Sequence, residues 1–500
     1  MQQDFSPSEI KVIHIEALRS WRLQRFSKDG FQPSAKGEYK DDAPMKLTRK
    51  SLFFYGLTDL PIALSLFPVA VFIPRFYASD MGVPLVVIGT ILFLVRWTDV
   101  LTDPLVGYLS DHTRSRFGRR KLWIALATPL MMLSVFQLFL PDMGQVWMRP
   151  IYGLLFIEAQ MNWVHLALWS FMLSVAITMM LIPYYAWGSE LSTDYNERSK
   201  VTGSRAVFNS LGSLSAQLIP AMALLIFGIG GSSVVLELVG LTMLVLMPIC
   251  VTLTLTNVAE APYQPRQQVS ALAGLKLMAA NGPFKRLVLA FMIGSLGLNV
   301  TTPLYLFFIA DVLQAEDKAI YMLSFFYAAS ILAVPFWVAF SKRVGKHRAY
   351  LVSFFMLAFA HPCYLLLGPG DFWWMLPMTL TTGFAAGGFS QTLPNSMKAD
   401  VIDLDTLETG ENRAALFFSA WSFAQKATAS FGGAIALFGL SFFGFEAGVS
   451  NGEDELFGLR FLFSTFPSLF FLTGAAIVWN YPITEARHAE IRAQLEAKNI

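Results

Sequence analysis

Five hundred residues, 55% of them hydrophobic and only 14% charged, with a mean hydropathy of +0.51, exclude an ordinary soluble domain, where about a quarter of residues carry charge. A net charge of +2 makes no case for a nucleic-acid partner. Two cysteines, Cys250 and Cys363, and six scattered histidines supply neither a disulfide framework nor a metal-ligand spacing.

Residues 1–44 are polar and lack the apolar core of a signal peptide. Ile10, Ile13, Ala17 and Trp21 recur at helical spacing, which predicts a short amphipathic helix within a dispensable cytosolic extension. From Leu52 onward the pattern predicts an all-α chain of twelve membrane-spanning helices. The first six lie at about 52–78, 83–110, 121–141, 164–190, 201–228 and 232–256. The second six lie at about 284–312, 318–341, 348–368, 371–397, 413–441 and 459–481. The expected organisation is an N-terminal bundle over 45–256, a cytosolic linker over 257–283, a C-terminal bundle over 284–482, and a solvated helical tail over 483–500. About a dozen extra residues precede the fourth span. With Trp147, Trp163 and the apolar 151–157, they fit either a cap on the outer cavity or a segment at the membrane interface. The loop 111–121 carries five Arg or Lys and the loop 341–348 four. By the positive-inside rule both loops and both termini are cytosolic, in a multi-pass protein of the inner or plasma membrane.

The second span carries Arg96, Asp99 and Asp103 on one helix face, near the bilayer midplane. A charge at that depth costs roughly 2.5–3.5 kcal/mol on insertion scales unless it is paired or wetted. Two readings fit: a cation or proton site in a transporter, or a structural Arg96–Asp99 ion pair. Two acids against one adjacent base leave a carboxylate over, which favours the cation site. The halves also repeat. Residues 116–121 after the second span correspond to 343–348 after the eighth, and Pro183 and Pro394 take similar late positions in the fourth and tenth. In that register Asp99 and Asp103 fall opposite Phe326 and Ser330, so only the first half has the acid pair.

Three stretches carry a resemblance: Asp99-x-x-x-Asp103-Pro with Asp111-x-Thr-Arg-Ser-Arg-Phe-Gly-Arg-Arg, Ile182-Pro-Tyr-Tyr-Ala-Trp-Gly-Ser-Glu190, and Ala399-Asp-Val-Ile-Asp403 through Lys426. From about Met45 onward the chain resembles the major facilitator superfamily, and within it the glycoside–pentoside–hexuronide:cation symporters typified by melibiose permease. The resemblance implies two pseudo-symmetric six-helix bundles, a central cavity, alternating access, and uptake driven by sodium, lithium or protons. It places Asp99 and Asp103 on the family's cation-binding acids, Thr178 on its hydroxyl ligand and Lys426 on its eleventh-helix lysine. Thr102 stands where the family has an asparagine. The sugar half departs: the family's two sugar-binding acids fall on Ala63 and Leu181, and its stacking tryptophan on Tyr185, beside Tyr184. Arg205 is retained, and Asp59, one turn before Ala63, is a candidate substitute.

The acids after the fourth span, Glu190, Asp194 and Glu197 with Arg198, recur after the tenth as Asp400, Asp403, Asp405 and Glu408 with Arg413. They are expected to form inside-gate salt bridges with Arg114, Arg116, Arg119 and Arg120. With both sugar acids missing, Arg205 is expected to lack a partner, and that predicts an anionic substrate. The alternative is that Arg205 bonds Asp59 and ignores the substrate. No catalytic constellation appears. The expected function is cation-coupled symport of a small organic solute, a glycoside or acidic sugar derivative, with a lysophospholipid or similar amphiphile as the alternative. The expected partners are that solute, sodium or a proton, and the lipid bilayer, with no cofactor, nucleic acid or obligate protein partner.

Overall fold

The computed structural model describes residues 47–154, 161–192, 195–260, 281–410 and 413–497. The expected N-terminal extension, most of the 257–283 linker, Asp194 and the side chain of Arg198 lie outside the described residues. Among the described residues there are helices and no strands. The spanning helices are α1 (Arg49–Ser79), α2 (Leu85–His112), α3 (Arg119–Phe139), α4 (Met161–Glu190), α5 (Tyr195–Phe227) and α6 (Ser232–Asn257). The second set is α7 (Gly282–Val312), α8 (Ala319–Val344), α9 (Lys346–Leu366), α10, α11 (Ala414–Phe442) and α12 (Glu453–Val478). Helix α10 runs from Met375–Ala386 through a π-turn at Gly387–Thr392 into Leu393–Thr409, a dozen residues beyond its expected end. Ten of the described helices are long and apolar enough to cross a membrane; α10, broken by its π-turn, and α11, which carries Lys426, complete the twelve expected.

The repeat between halves is visible in backbone geometry. Gly118 precedes α3 with φ 101° and ψ 150°, and Gly345 precedes α9 with φ 90° and ψ 147°. Both sit in the left-handed region, where a Cβ is penalised, so glycine makes the sharp cytosolic-type turn in each half. The helix packing repeats too. Asp99 and Asp103 of α2 meet Ser174 and Thr178 of α4, while Phe326 and Ser330 of α8 meet Gly383 and Gly387 of α10. A Cβ at either glycine would collide with the carbonyl oxygen of its partner. In each half, residues four apart meet residues four apart in the same order, so each helix pair runs in the same sense. That requires one intervening span, as an up-and-down path supplies.

The extra segment before α4 is a helix, Pro141–Leu154. Gln145 Nε2 donates to Asn162 Oδ1 at 3.0 Å and Tyr152 bonds His165 at 3.0 Å, which pins one face to α4. Met143, Val146, Trp147, Ile151 and Leu154 lie exposed on the other. An apolar exposed face of this kind suits the membrane interface. The tail helix Glu485–Ala497 is not simply solvated, as the sequence suggested. Ile491 and Leu495 are buried, and His488 Nε2 lies 3.1 Å from Asp403 and 3.3 Å from Asp400 of α10.

Candidate functional site

The register of α2 against α4 brings four polar side chains together inside the N-terminal bundle. Ser174 Oγ donates to Asp99 Oδ1 at 2.5 Å, and Thr178 Oγ1 to Asp103 Oδ1 at 3.0 Å. Lys426, from α11 in the other half, bonds Asp103 Oδ2 and stands 3.6 Å from Asp99 Oδ2. Asp99 is buried, and Thr102 Oγ1 is a buried oxygen with no hydrogen-bond partner among the described residues. A cavity of about 660 Å³ adjoins the cluster, lined by Asp99, Asp103, Lys426, Arg96, Ser422 and Phe423 among others. Chemically the site is two carboxylates and two hydroxyls around one ammonium group. A hard cation takes the same oxygen donors, so the residues present suit sodium or a proton. Ser174 is the member that sequence reasoning missed; its signal is that it stands four residues before Thr178, as Asp99 stands four before Asp103.

Arg96, expected with Arg205, Lys426, Tyr184, Tyr185 and Asp59 among the substrate-binding and coupling residues, does not form the alternative ion pair with Asp99. The partners of Asp99 are Ser174 and Lys426, and Arg96 makes no ion pair among the described residues. It faces the 660 Å³ cavity and a second one of about 120 Å³.

Arg205 is corrected as well. Its Nε donates to Asp59 Oδ2 at 2.8 Å, and Asp59 is buried. The guanidinium also lies 3.7 Å from the ring centroid of Tyr185 and 5.2 Å from that of Tyr184. The expectation of an unpaired Arg205 therefore fails, since Asp59 fills the place of the missing acids. Tyr184 is buried and scaffolds α1 against α4: its hydroxyl donates to the Tyr55 carbonyl at 2.5 Å, and Tyr55 returns a bond to the Tyr184 carbonyl at 2.6 Å. Tyr185 is the exposed member of the pair.

A third cavity, about 460 Å³, lies between α5 and helices α7 to α10. It is rich in hydroxyl and aromatic groups, among them Thr301, Tyr327, Tyr364, Thr379, Thr382 and Ser390, and no carboxylate, lysine or arginine among the described residues lines it. Tyr364 Oη bonds Thr382 at 3.1 Å, so part of this lining is already ordered. The cation and solute residues expected from sequence fall on the first, second, fourth, fifth and eleventh spans, and this chamber was not anticipated.

The profile of the MFS/sugar transport protein family matches residues 54–485. The chain belongs to that family. Relatives of this family member include the glucuronide carrier protein homolog of Escherichia coli (strain K12), 24% identical over 90% of this chain and 96% of that protein. They also include the human sodium-dependent lysophosphatidylcholine symporter 1, 26% identical over 81% of this chain and 78% of that protein, and the isoprimeverose transporter of Lactiplantibacillus pentosus, 24% identical over 89% and 91%. Among solved structures, the nucleoside transporter NupG superposes with a TM-score of 0.58 at 14% identity, covering 87% of this chain and 100% of that one. A bacterial homolog of the human lysosomal transporter Spinster gives 0.58 at 14%, covering 89% and 96%. At such identities the structures establish the fold alone. The protein is a membrane transporter of the major facilitator type, not an enzyme.

Side-chain ties between the two halves close one end of the described structure. Arg75, near the end of α1, holds Asp311 of α7 at 2.5 Å and Glu316 at 3.4 Å, and Ser232 of α6 bonds Glu316 as well. Arg75 is buried, and the cluster lies at the end opposite the basic loops. Sequence reasoning did not find it. At the basic end the pairs lie within single halves: Arg119 and Arg120 to Glu190 at 2.9 and 2.8 Å, Arg120 to Asp111 at 2.5 Å, Lys346 to Asp400 and Arg413 to Asp405 at 2.5 Å each. Arg114 and Arg116 are exposed and make no ion pair among the described residues, so the expected gate pairs are not formed by them in this conformer. Glu197 bonds Lys200 and the Leu47 amide of its own half.

Proposed function

We propose that the protein is a symporter that couples inward movement of sodium or a proton to uptake of a small organic solute, a glycoside or acidic sugar derivative. One observation carries this reading: Lys426 of one half sits between Asp99 and Asp103 of the other, where a coupling cation would sit. A cation arriving between the carboxylates displaces the ammonium, and Thr178 and Ser174 are at hand on the adjoining helix. Displacement alters a contact between the bundles, so cation occupancy and the rocking of one bundle on the other become mutually dependent. With the basic loops cytosolic, the conformer seen here is closed outside by Arg75 and Asp311.

The relatives named as a glucuronide carrier homolog and an isoprimeverose transporter support a sugar-like solute. The relatives named as lysophosphatidylcholine symporters support the second reading, an amphiphilic anion. Uptake of a panel of glycosides, glycosiduronates and lysophospholipids into proteoliposomes, with and without an inward sodium or proton gradient, tests both. Gradient-driven accumulation of none of them refutes the proposal.

A further inference from the structure

Arg96 has no ion pair among the described residues: Asp99 is taken by Ser174 and Lys426, and Asp59 is taken by Arg205. It is half-buried, one helical turn before Asp99, and it is the charged residue of the 120 Å³ cavity, whose other polar lining includes Ser170, Asn299, Thr302 and Ser430. Arg96 and Ser430 also line the 660 Å³ cavity beside the acid pair, and Thr302 also lines the 460 Å³ hydroxyl-rich cavity. The small cavity therefore lies between the other two, with the Arg96 guanidinium on its border with the 660 Å³ cavity and Thr302 on its border with the 460 Å³ cavity. It has room for a few waters or one small oxyanion, and not for a whole sugar ring.

Charge balance points the same way. Asp59 and Arg205 cancel. Asp99 and Asp103 (−2) against Lys426 and Arg96 (+2) sum to zero, so a bound monovalent cation brings the site to +1. A solute with one negative charge restores neutrality, and a guanidinium binds a carboxylate or phosphate through two parallel hydrogen bonds.

We infer that Arg96 anchors an anionic group on the transported solute, while the solute's uncharged hydroxylated or aromatic body occupies the 460 Å³ cavity. The charge balance rests on the cation-coupled reading; the guanidinium without an ion pair among the described residues and the adjacent cavities do not. The site takes a monoanion in preference to the matched neutral compound, and Arg96 sets that preference.

The test is equilibrium binding of phenyl β-D-glucuronide and phenyl β-D-glucoside to the purified full-length protein, followed by tryptophan fluorescence in sodium buffer. Wild type is expected to bind the glucuronide about tenfold tighter. Arg96→Gln is expected to bring the ratio to about one, and an unchanged melting temperature in detergent reports that the variant is folded. Arg96→Lys, which keeps the charge and loses the two-pronged geometry, is expected to retain part of the preference. Equal affinity of wild type for both compounds, undetectable binding of both included, overturns the inference, as does a preference that survives Arg96→Gln. Sodium titrated alone, into wild type and Asp103→Asn, reports the coupling reading separately. If sodium has no effect while the Arg96-dependent preference holds, coupling fails and the anion site stands.

Discussion

Replacing Arg75 by Gln tests whether the Arg75 cluster is the outer gate. In the conformer described, Arg75 and Asp311 have side chains only 8% and 15% exposed and meet at 2.5 Å, with Glu316 at 36% as the wetter partner. Removing one member of such a pair leaves its partner buried and uncompensated, a penalty of about 3–5 kcal/mol for a fully buried pair. Glu316 is partly solvated and water reaches the rim, so about 3 kcal/mol is the better figure here. The penalty exists only while the end is closed, because opening hydrates Asp311. The equilibrium should therefore move toward the outward-open state by about 3 kcal/mol, roughly a hundredfold in population. The assay is labelling of a cysteine placed at Val71, which lines the hydroxyl-rich cavity, by a membrane-impermeant maleimide in right-side-out vesicles. Cys250 and Cys363 are first replaced by serine. Labelling should accelerate strongly in Arg75→Gln and return toward the starting rate in Arg75→Asp combined with Asp311→Arg. An unchanged rate in the single variant would show that other contacts hold the end shut.

Four further outcomes are expected. Asp99→Asn and Asp103→Asn should each abolish cation-driven accumulation while the protein still reaches the membrane; normal accumulation in both would mean the acids are structural. Ser174→Ala removes a hydrogen bond to a buried carboxylate, worth about 1.5–3 kcal/mol, and should weaken sodium binding by about tenfold or more in a calorimetric titration; unchanged binding would refute the assignment. Lys426→Gln removes the ammonium that competes for the acid pair, so sodium should bind more tightly while substrate and sodium cease to depend on one another; weaker sodium binding in that variant would refute the displacement scheme. Gly212→Ala would place a Cβ against the Leu60 carbonyl where α5 crosses α1. Overpacking there should cost about 1–3 kcal/mol, read as a lower melting temperature in detergent, and an unchanged melting temperature would show that the helices can part freely.

The twelve spans were legible because apolar length is a strong signal, and most of their ends fall within a few residues of the hydropathy boundaries. The acid pair was legible because ionised residues near midplane stand out against an apolar background. Ser174 was hidden because serines and threonines inside spans commonly bond a carbonyl one turn back, as Thr242 and Thr428 do here, so a hydroxyl alone points nowhere. The pairing of Arg205 was open in the sequence because Asp59 stands a full turn from the position inferred for the missing acid. Four residues span about 6 Å along the axis, within reach of an arginine side chain. Arg75 and Asp311 lie 236 residues apart in separate halves, so no local spacing could join them. The hydroxyl-rich cavity gathers residues from several helices, each ordinary in its own span.

The broken symmetry of the two halves argues for what the acids are for. At equivalent positions the N-terminal half packs α2 on α4 through carboxylate–hydroxyl bonds, and the C-terminal half packs α8 on α10 through carbonyl oxygens seated on Gly383 and Gly387. Close approach over small residues is the cheaper way to join two helices in a bilayer. The C-terminal half shows that this fold needs nothing more, because Phe326 and Ser330 hold the same register without a charge. Asp99 and Asp103 therefore carry an insertion cost that packing does not require. What they add is a contact the symmetric scaffold lacks, the bond from Lys426 across the interface between bundles. Under the proposed symport, a charge that can be traded for a cation at that interface is what would make ion binding felt by the movement of one bundle against the other.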